Sequence, residues 1–102
     1  KIVELKNAYQ STLLLDEAHS LGVLGKTGEG LVEKTGMINE VDFITGTFSK
    51  SLCGIGGFCV SNHPQLVQLR YISHPYIFTA SPSPATIAST RAALKLLHDG
   101  YL

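Results

Sequence analysis

A chain of 102 residues has the length of one small domain, and an apolar share of 44% is that of a chain folding around a core, not of a disordered one. Eight basic residues balance eight acidic ones, so no positive field gathers nucleic acid, and no apolar run approaches the roughly 20 residues of a transmembrane segment. Cys53 and Cys59 fall outside CxxC spacing and lack a second pair, which argues against a metal site and for reduced thiols in a cytoplasmic protein.

The chain begins at Lys1, without an initiating methionine, in residues that already read as helix. Ile2, Val3, Leu5 and Tyr9 recur at helical spacing among Lys1, Glu4 and Lys6, and Asn7 to Ser11 turns out of that helix. Thr12 to Leu15 is a short apolar run ending in Asp16, the pattern of a strand buried on both faces. Gly22, Gly25, Gly28 and Gly30 punctuate a long loop, after which a brief helix over Leu31 to Thr35 ends at Gly36. Val41 to Thr47 and Gly57 to Val60 read as two further strands, joined by the loop Phe48 to Gly56. Pro64 sits near the start of a helix to about Tyr71, Tyr76 to Phe78 is apolar and short, and an amphipathic helix follows Ser81-Pro82-Ser83-Pro84 to about Asp99. With that helix running close to Leu102, residues 1–102 are expected to be a fragment of a larger domain, lacking its N-terminal and C-terminal regions.

Strands alternating with helices predict an α/β layer with a mainly parallel sheet flanked by helices. Ligands of such sheets gather beyond the carboxyl ends of the strands. Asp16 and Thr47 to Lys50 both follow strands, so they converge on one crevice despite their distance in sequence. Asp16-Glu17-Ala18-His19 also spells the acidic box of helicases, and Gly25-Lys26-Thr27 the tail of a phosphate-binding loop. Here that reading fails: Ser20 stands where the loop needs its first glycine, and the loop follows the acidic strand instead of preceding it.

Pyridoxal chemistry needs an amine to hold the aldehyde, a carboxylate facing the ring nitrogen, and donors for a phosphate. Lys50 supplies the amine, which becomes a nucleophile and base when desolvated beside a cationic ring. Thr47 and Ser49 supply hydroxyls, Asp16 a carboxylate that a pyridinium would compensate, and His19 a donor for the ring oxygen. Each has a plainer reading: a strand-end aspartate also serves as a helix cap or surface carboxylate, and an isolated Ser-x-Lys arises by chance.

Asp16-Glu17-Ala18-His19-Ser20, the glycines 22, 25, 28 and 30, Asp42, Gly46-Thr47-Phe48-Ser49-Lys50 and Gly56-Gly57, in that order, resemble the α-oxoamine synthase family. The resemblance covers nearly the whole chain. It implies the large, cofactor-binding domain of a fold-type I homodimer that uses pyridoxal 5'-phosphate (PLP). It gives Lys50 the Schiff base, Asp16 the pyridine nitrogen, His19 the ring oxygen, and Thr47 with Ser49 the phosphate. Thr79 and Ala80 resemble a stretch that reaches the phosphate of the neighbouring subunit, so the active site would be shared. The implied reaction condenses an amino acid with an acyl-CoA and loses CO2. Gly46 to Ser51, Ser61 to Pro64 and Pro75 to Ser81 favour L-serine and palmitoyl-CoA, the first step of sphingolipid synthesis. The alternatives are a sister activity on glycine or alanine with another acyl-CoA, and a non-catalytic fragment or partner subunit; partner subunits lose the lysine that is present here as Lys50. Two positions depart from the family: Pro82-Ser83-Pro84 replaces Leu-Pro-Pro, and Cys53 replaces a glycine.

Overall fold

In the computed structural model, which describes residues 1–100, the chain opens with helix α1 (Ile2–Ala8) and passes through a turn into strand β1 (Leu14–Asp16). The glycine-rich loop leads to helix α2 (Leu31–Thr35), closed by Gly36 in the left-handed conformation (φ 67°), and then to a 3-10 turn at Ile38–Glu40. Strand β2 (Phe43–Thr47) and strand β3 (Gly57–Val60) follow, then helices α3 (Leu66–Ile72), α4 (His74–Ile77) and α5 (Pro84–His98). Leu102 lies outside the described residues.

The three strands form one sheet in the order β1-β2-β3. β1 pairs with β2 in parallel, with Asp16 opposite Thr45; β3 folds back antiparallel on β2, with Phe58 opposite Gly46 and Gly57 opposite Thr47. The α/β expectation holds, and the sheet is mixed. The loop Phe48 to Gly56 is short enough to return the chain as a hairpin, whereas the β1–β2 connection contains α2 and allows a parallel crossover.

β1 is not buried on both faces as its apolar run predicted: Leu14 is 58% exposed and Leu15 half-buried. β1 is an edge strand of this sheet that packs chiefly against β2, with little covering its faces, while central β2 is half-buried throughout. Asp42 staples the strand starts together. Its Oδ2 accepts from the Leu13 N–H at 2.7 Å, and its Oδ1 lies 3.2 Å from Nζ of Lys6 on α1. The Leu13 N–H holds the Asp42 carboxyl below the usual carboxylate range; desolvation opposes this, and Lys6 and His63 reinforce it.

α5 packs against the glycine-rich loop and the loop Phe48 to Gly56. Its Leu97 fills the space a side chain at Gly28 would need, and its Thr90 stands 2.7 Å from where a Cβ of Gly54 would be. Leu97 and Thr90 are buried, as are Val32 of α2 and Leu52 of the hairpin loop. The substitution of Pro82-Ser83-Pro84 has a local explanation: Ser83 caps α5, its Oγ accepting from the Thr86 N–H at 3.2 Å, and Pro84 occupies the first helical turn.

Candidate active site

The loop that carries Lys50 is braced by its own backbone. Phe48 N–H donates to Gly56 O (2.9 Å), Gly54 N–H to Phe48 O (2.6 Å) and Cys53 N–H to Lys50 O (2.9 Å). Leu52, only 1% exposed, anchors the loop from below, and Lys50 is left at the surface. The desolvation expected at Lys50 is therefore not supplied by these residues. Thr47 Oγ1 lies 2.8 Å from Ser49 Oγ, accepts from the Ser49 N–H at 3.1 Å and is 3.2 Å from Gly56 O. The two hydroxyls thus sit as an adjacent pair at the carboxyl end of β2. Cys53 has φ +50°, a conformation that favours glycine, which accounts for the glycine usual at that place in the resembling family.

Asp16 ends β1 beside this loop. It is exposed, not buried as expected, because it shares the edge position of its strand; its Oδ1 accepts from the Ala18 N–H at 2.7 Å and starts the turn that presents His19. Taking a strand spacing of about 4.8 Å and a rise of about 3.3 Å per residue, Asp16 and Thr47 have their Cα atoms about 8 Å apart. Parallel pairing therefore brings Asp16, Thr47, Ser49 and Lys50 to one edge of the sheet, with His19 in the adjoining turn. Thr79 and Ala80 lie elsewhere in the chain, exposed between α4 and α5, where the Thr79 hydroxyl donates to Pro75 O.

Sequence reasoning passed over Glu17, which is 1% exposed. Its Oε2 accepts from the Leu31 N–H and its Oε1 from the Val32 N–H, both at 2.9 Å, and the Ser20 hydroxyl donates to Oε2. A signal was available: the N-cap of α2 is Gly30, which has no side chain to cap the helix, so an acceptor had to come from elsewhere. Also unforeseen is the hydroxyl of Thr90, buried against the lysine loop and without a hydrogen-bond partner among the described residues.

The donor set at this edge, an amine, a carboxylate, an imidazole and paired hydroxyls, fits a phosphorylated pyridine aldehyde. Residues 1–99 match the family model of aminotransferase class I and II, and the chain belongs to that family. Within it, the chain is similar to serine palmitoyltransferases. It is 56% identical over 95 residues to the serine palmitoyltransferase of Caulobacter vibrioides, covering 93% of this chain and 24% of that protein. A solved structure of serine palmitoyltransferase with PLP as internal aldimine superposes with a TM-score of 0.91 at 40% identity, over 98% of this chain and 25% of that one. The structure of 8-amino-7-oxononanoate synthase from Francisella tularensis gives a TM-score of 0.74 at 26% identity, over 96% of this chain and 30% of that one. The chain thus spans about a quarter of the length of the serine palmitoyltransferases it matches.

Proposed function

We propose that this chain is the cofactor-holding part of a PLP-dependent C-acyltransferase that condenses L-serine with palmitoyl-CoA, releasing CoA and CO2 and giving a 3-keto amine. The observation that carries this reading is the parallel pairing of β1 with β2, since it sets Asp16 beside the segment Thr47 to Lys50. When bound, PLP supplies an electrophilic aldehyde and a pyridinium that accepts electrons. Lys50 Nζ is the amine that would hold the aldehyde and, once free, the base that would take the proton from the serine Cα. The Asp16 carboxylate would oppose the charge of the protonated ring nitrogen, and the His19 imidazole would donate to the ring oxygen. Thr47 and Ser49 would donate to the phosphate.

Serine is favoured over glycine or alanine by the likeness to serine palmitoyltransferases, which exceeds that to 8-amino-7-oxononanoate synthase in both identity and superposition. We further propose a cytoplasmic homodimer in which Thr79 and Ala80 serve the phosphate site of the neighbouring protomer. Their exposure and their separation in the chain from the lysine loop support that arrangement, and two free cysteines fit a reducing compartment. No helix among the described residues is long and apolar enough to cross a membrane.

The test uses the full-length protein. Serine is expected to change the visible absorbance of the bound cofactor, and palmitoyl-CoA then to release free CoA. Turnover of glycine or alanine without a response to serine would move the activity to a sister enzyme.

A further inference from the structure

Glu17 is a buried carboxylate that the chemistry above does not use, and it lies between two residues that it does. Three donors converge on it: the backbone N–H groups of Leu31 and Val32 and the hydroxyl of Ser20. Its own N–H donates to Thr45 O at 2.8 Å, extending the β1–β2 ladder by one residue. Gly30 has φ +100°, and a Cβ there would stand 2.6 Å from Glu17 Oε2, so the carboxylate is seated directly on the start of α2. The segment Asp16 to Ser20 is therefore gripped from two sides, by β2 through the backbone and by α2 through the side chain. Asp16 precedes the grip and His19 lies within it, and both are exposed at the sheet edge.

We propose that Glu17 is a positioning residue of the reaction: it clamps the turn after β1 so that the Asp16 carboxylate and the His19 imidazole are held at fixed places against the cofactor ring. The proposal rests on the PLP reading. A buried carboxylate accepting charge-assisted hydrogen bonds is a stiff anchor, and no neutral side chain replaces all three bonds. Without it the buried N–H groups of Leu31 and Val32 lose their acceptor, and the turn is free to shift relative to β2.

The experiment compares full-length holoenzyme carrying Glu17→Ala and Glu17→Gln with wild type. Borohydride is expected to fix the cofactor on Lys50 in all three. The visible circular dichroism of the bound cofactor, which arises from how its surroundings hold the ring, is expected to lose most of its amplitude in Glu17→Ala. kcat should fall about 100-fold, the loss produced by misplacing a reacting group by about 1 Å, with little change in KM for serine. Glu17→Gln keeps one acceptor oxygen but turns an amide N–H2 toward the other donor, so both readings should fall between wild type and Glu17→Ala. If Glu17→Ala does not fold, Ser20→Ala, which removes one donor, is expected to move the dichroism in the same direction by less. Wild-type dichroism and kcat in the folded variants, with only a lower melting temperature, would show that the clamp merely stabilises the fold. Failure of borohydride to fix the cofactor on Lys50 in the wild type would overturn the PLP reading itself, a result distinguishable from wild-type behaviour of the variants.

Discussion

Gly46→Ala probes whether the central strand really has no room beside the loop that carries Lys50. Gly46 faces Phe58 across the β2–β3 pair, and a methyl group there would stand 2.5 Å from Phe58 Cζ and 2.7 Å from Cε1. Carbon atoms sit comfortably at about 3.5–4.0 Å, so the ring has to move by an ångström or so. It has little freedom to do so, because the Phe48 ring stacks on it with centroids 5.7 Å apart and planes at 27°. Overpacking of this kind costs about 1–3 kcal/mol, while replacing a strand glycine by alanine returns about 0.5–1 kcal/mol of chain entropy, so mid-range values leave a net loss of about 1 kcal/mol. Phe48 lies between Thr47 and Ser49, so the displacement is transmitted to the hydroxyl pair and cofactor affinity should fall with stability. Denaturant unfolding and absorbance titration of the full-length apoenzyme with PLP measure the two effects. Phe58→Leu in the Gly46→Ala background should recover part of both, giving a coupling of about 1 kcal/mol in the double-mutant cycle. Wild-type stability and affinity in Gly46→Ala, or strict additivity in the cycle, would refute the steric argument.

Asp16→Asn should leave the protein folded and able to take up PLP but lower kcat by about 100-fold or more, since neutralising the carboxylate weakens the charge opposite the ring nitrogen; near-normal turnover would remove Asp16 from the site. Asp42 has its folded pKa depressed, so its contribution to stability is complete above the unfolded value of about 3.9 and is lost as pH falls through the folded value. Asp42→Asn should flatten the fall in urea midpoint in that acidic window and leave it unchanged there only if the Leu13 and Lys6 contacts are absent in solution. Cys53→Gly relieves a left-handed residue and should raise stability by about 0.5–1 kcal/mol, read as a higher urea midpoint. Mixed dimers of Lys50→Ala and Thr79→Ala, each inactive alone, should regain activity because one site inherits both lesions and the other neither; an inactive mixture with proven heterodimers would show that Thr79 serves its own chain.

What was legible in the sequence follows from which physical signals are local. Glycine punctuation marked α2 and β3 to the residue, since Gly36 is the left-handed cap and Gly57 starts the returning strand. Pro64 lies in the turn just before α3, which begins at Leu66, so it marks the approach to that helix, whereas α4 went unread because Tyr76 to Phe78 shows too few residues for a helical period. The burial of β1 and of Asp16 was misjudged for another reason. Composition shows that a run is apolar, but whether a strand is central or at an edge depends on what pairs with it. The residues proposed to face the cofactor could be named from sequence because their chemistry lies in side chains at strand ends. Glu17 was passed over because two of its three donors are backbone N–H groups, which carry no residue signature.

The loop Gly25-Lys26-Thr27 is instructive on the same point. Its likeness to a phosphate-binding loop was set aside on spacing, yet its backbone does gather an anion. The N–H groups of Lys26, Thr27 and Glu29 donate to the Glu33 carboxylate at 2.8–3.2 Å. Partial burial pushes that carboxyl up, but the donors from Glu29, Thr27 and Lys26 outweigh it and hold it below its ordinary value. Glycines bend the chain until consecutive N–H groups face one point, and any anion of the right reach can occupy it. In a nucleotide-binding protein that anion arrives from outside. Here it comes from the first turn of α2, so the loop is closed on its own helix, and Glu17 and Glu33 together fasten that helix to the segments before it.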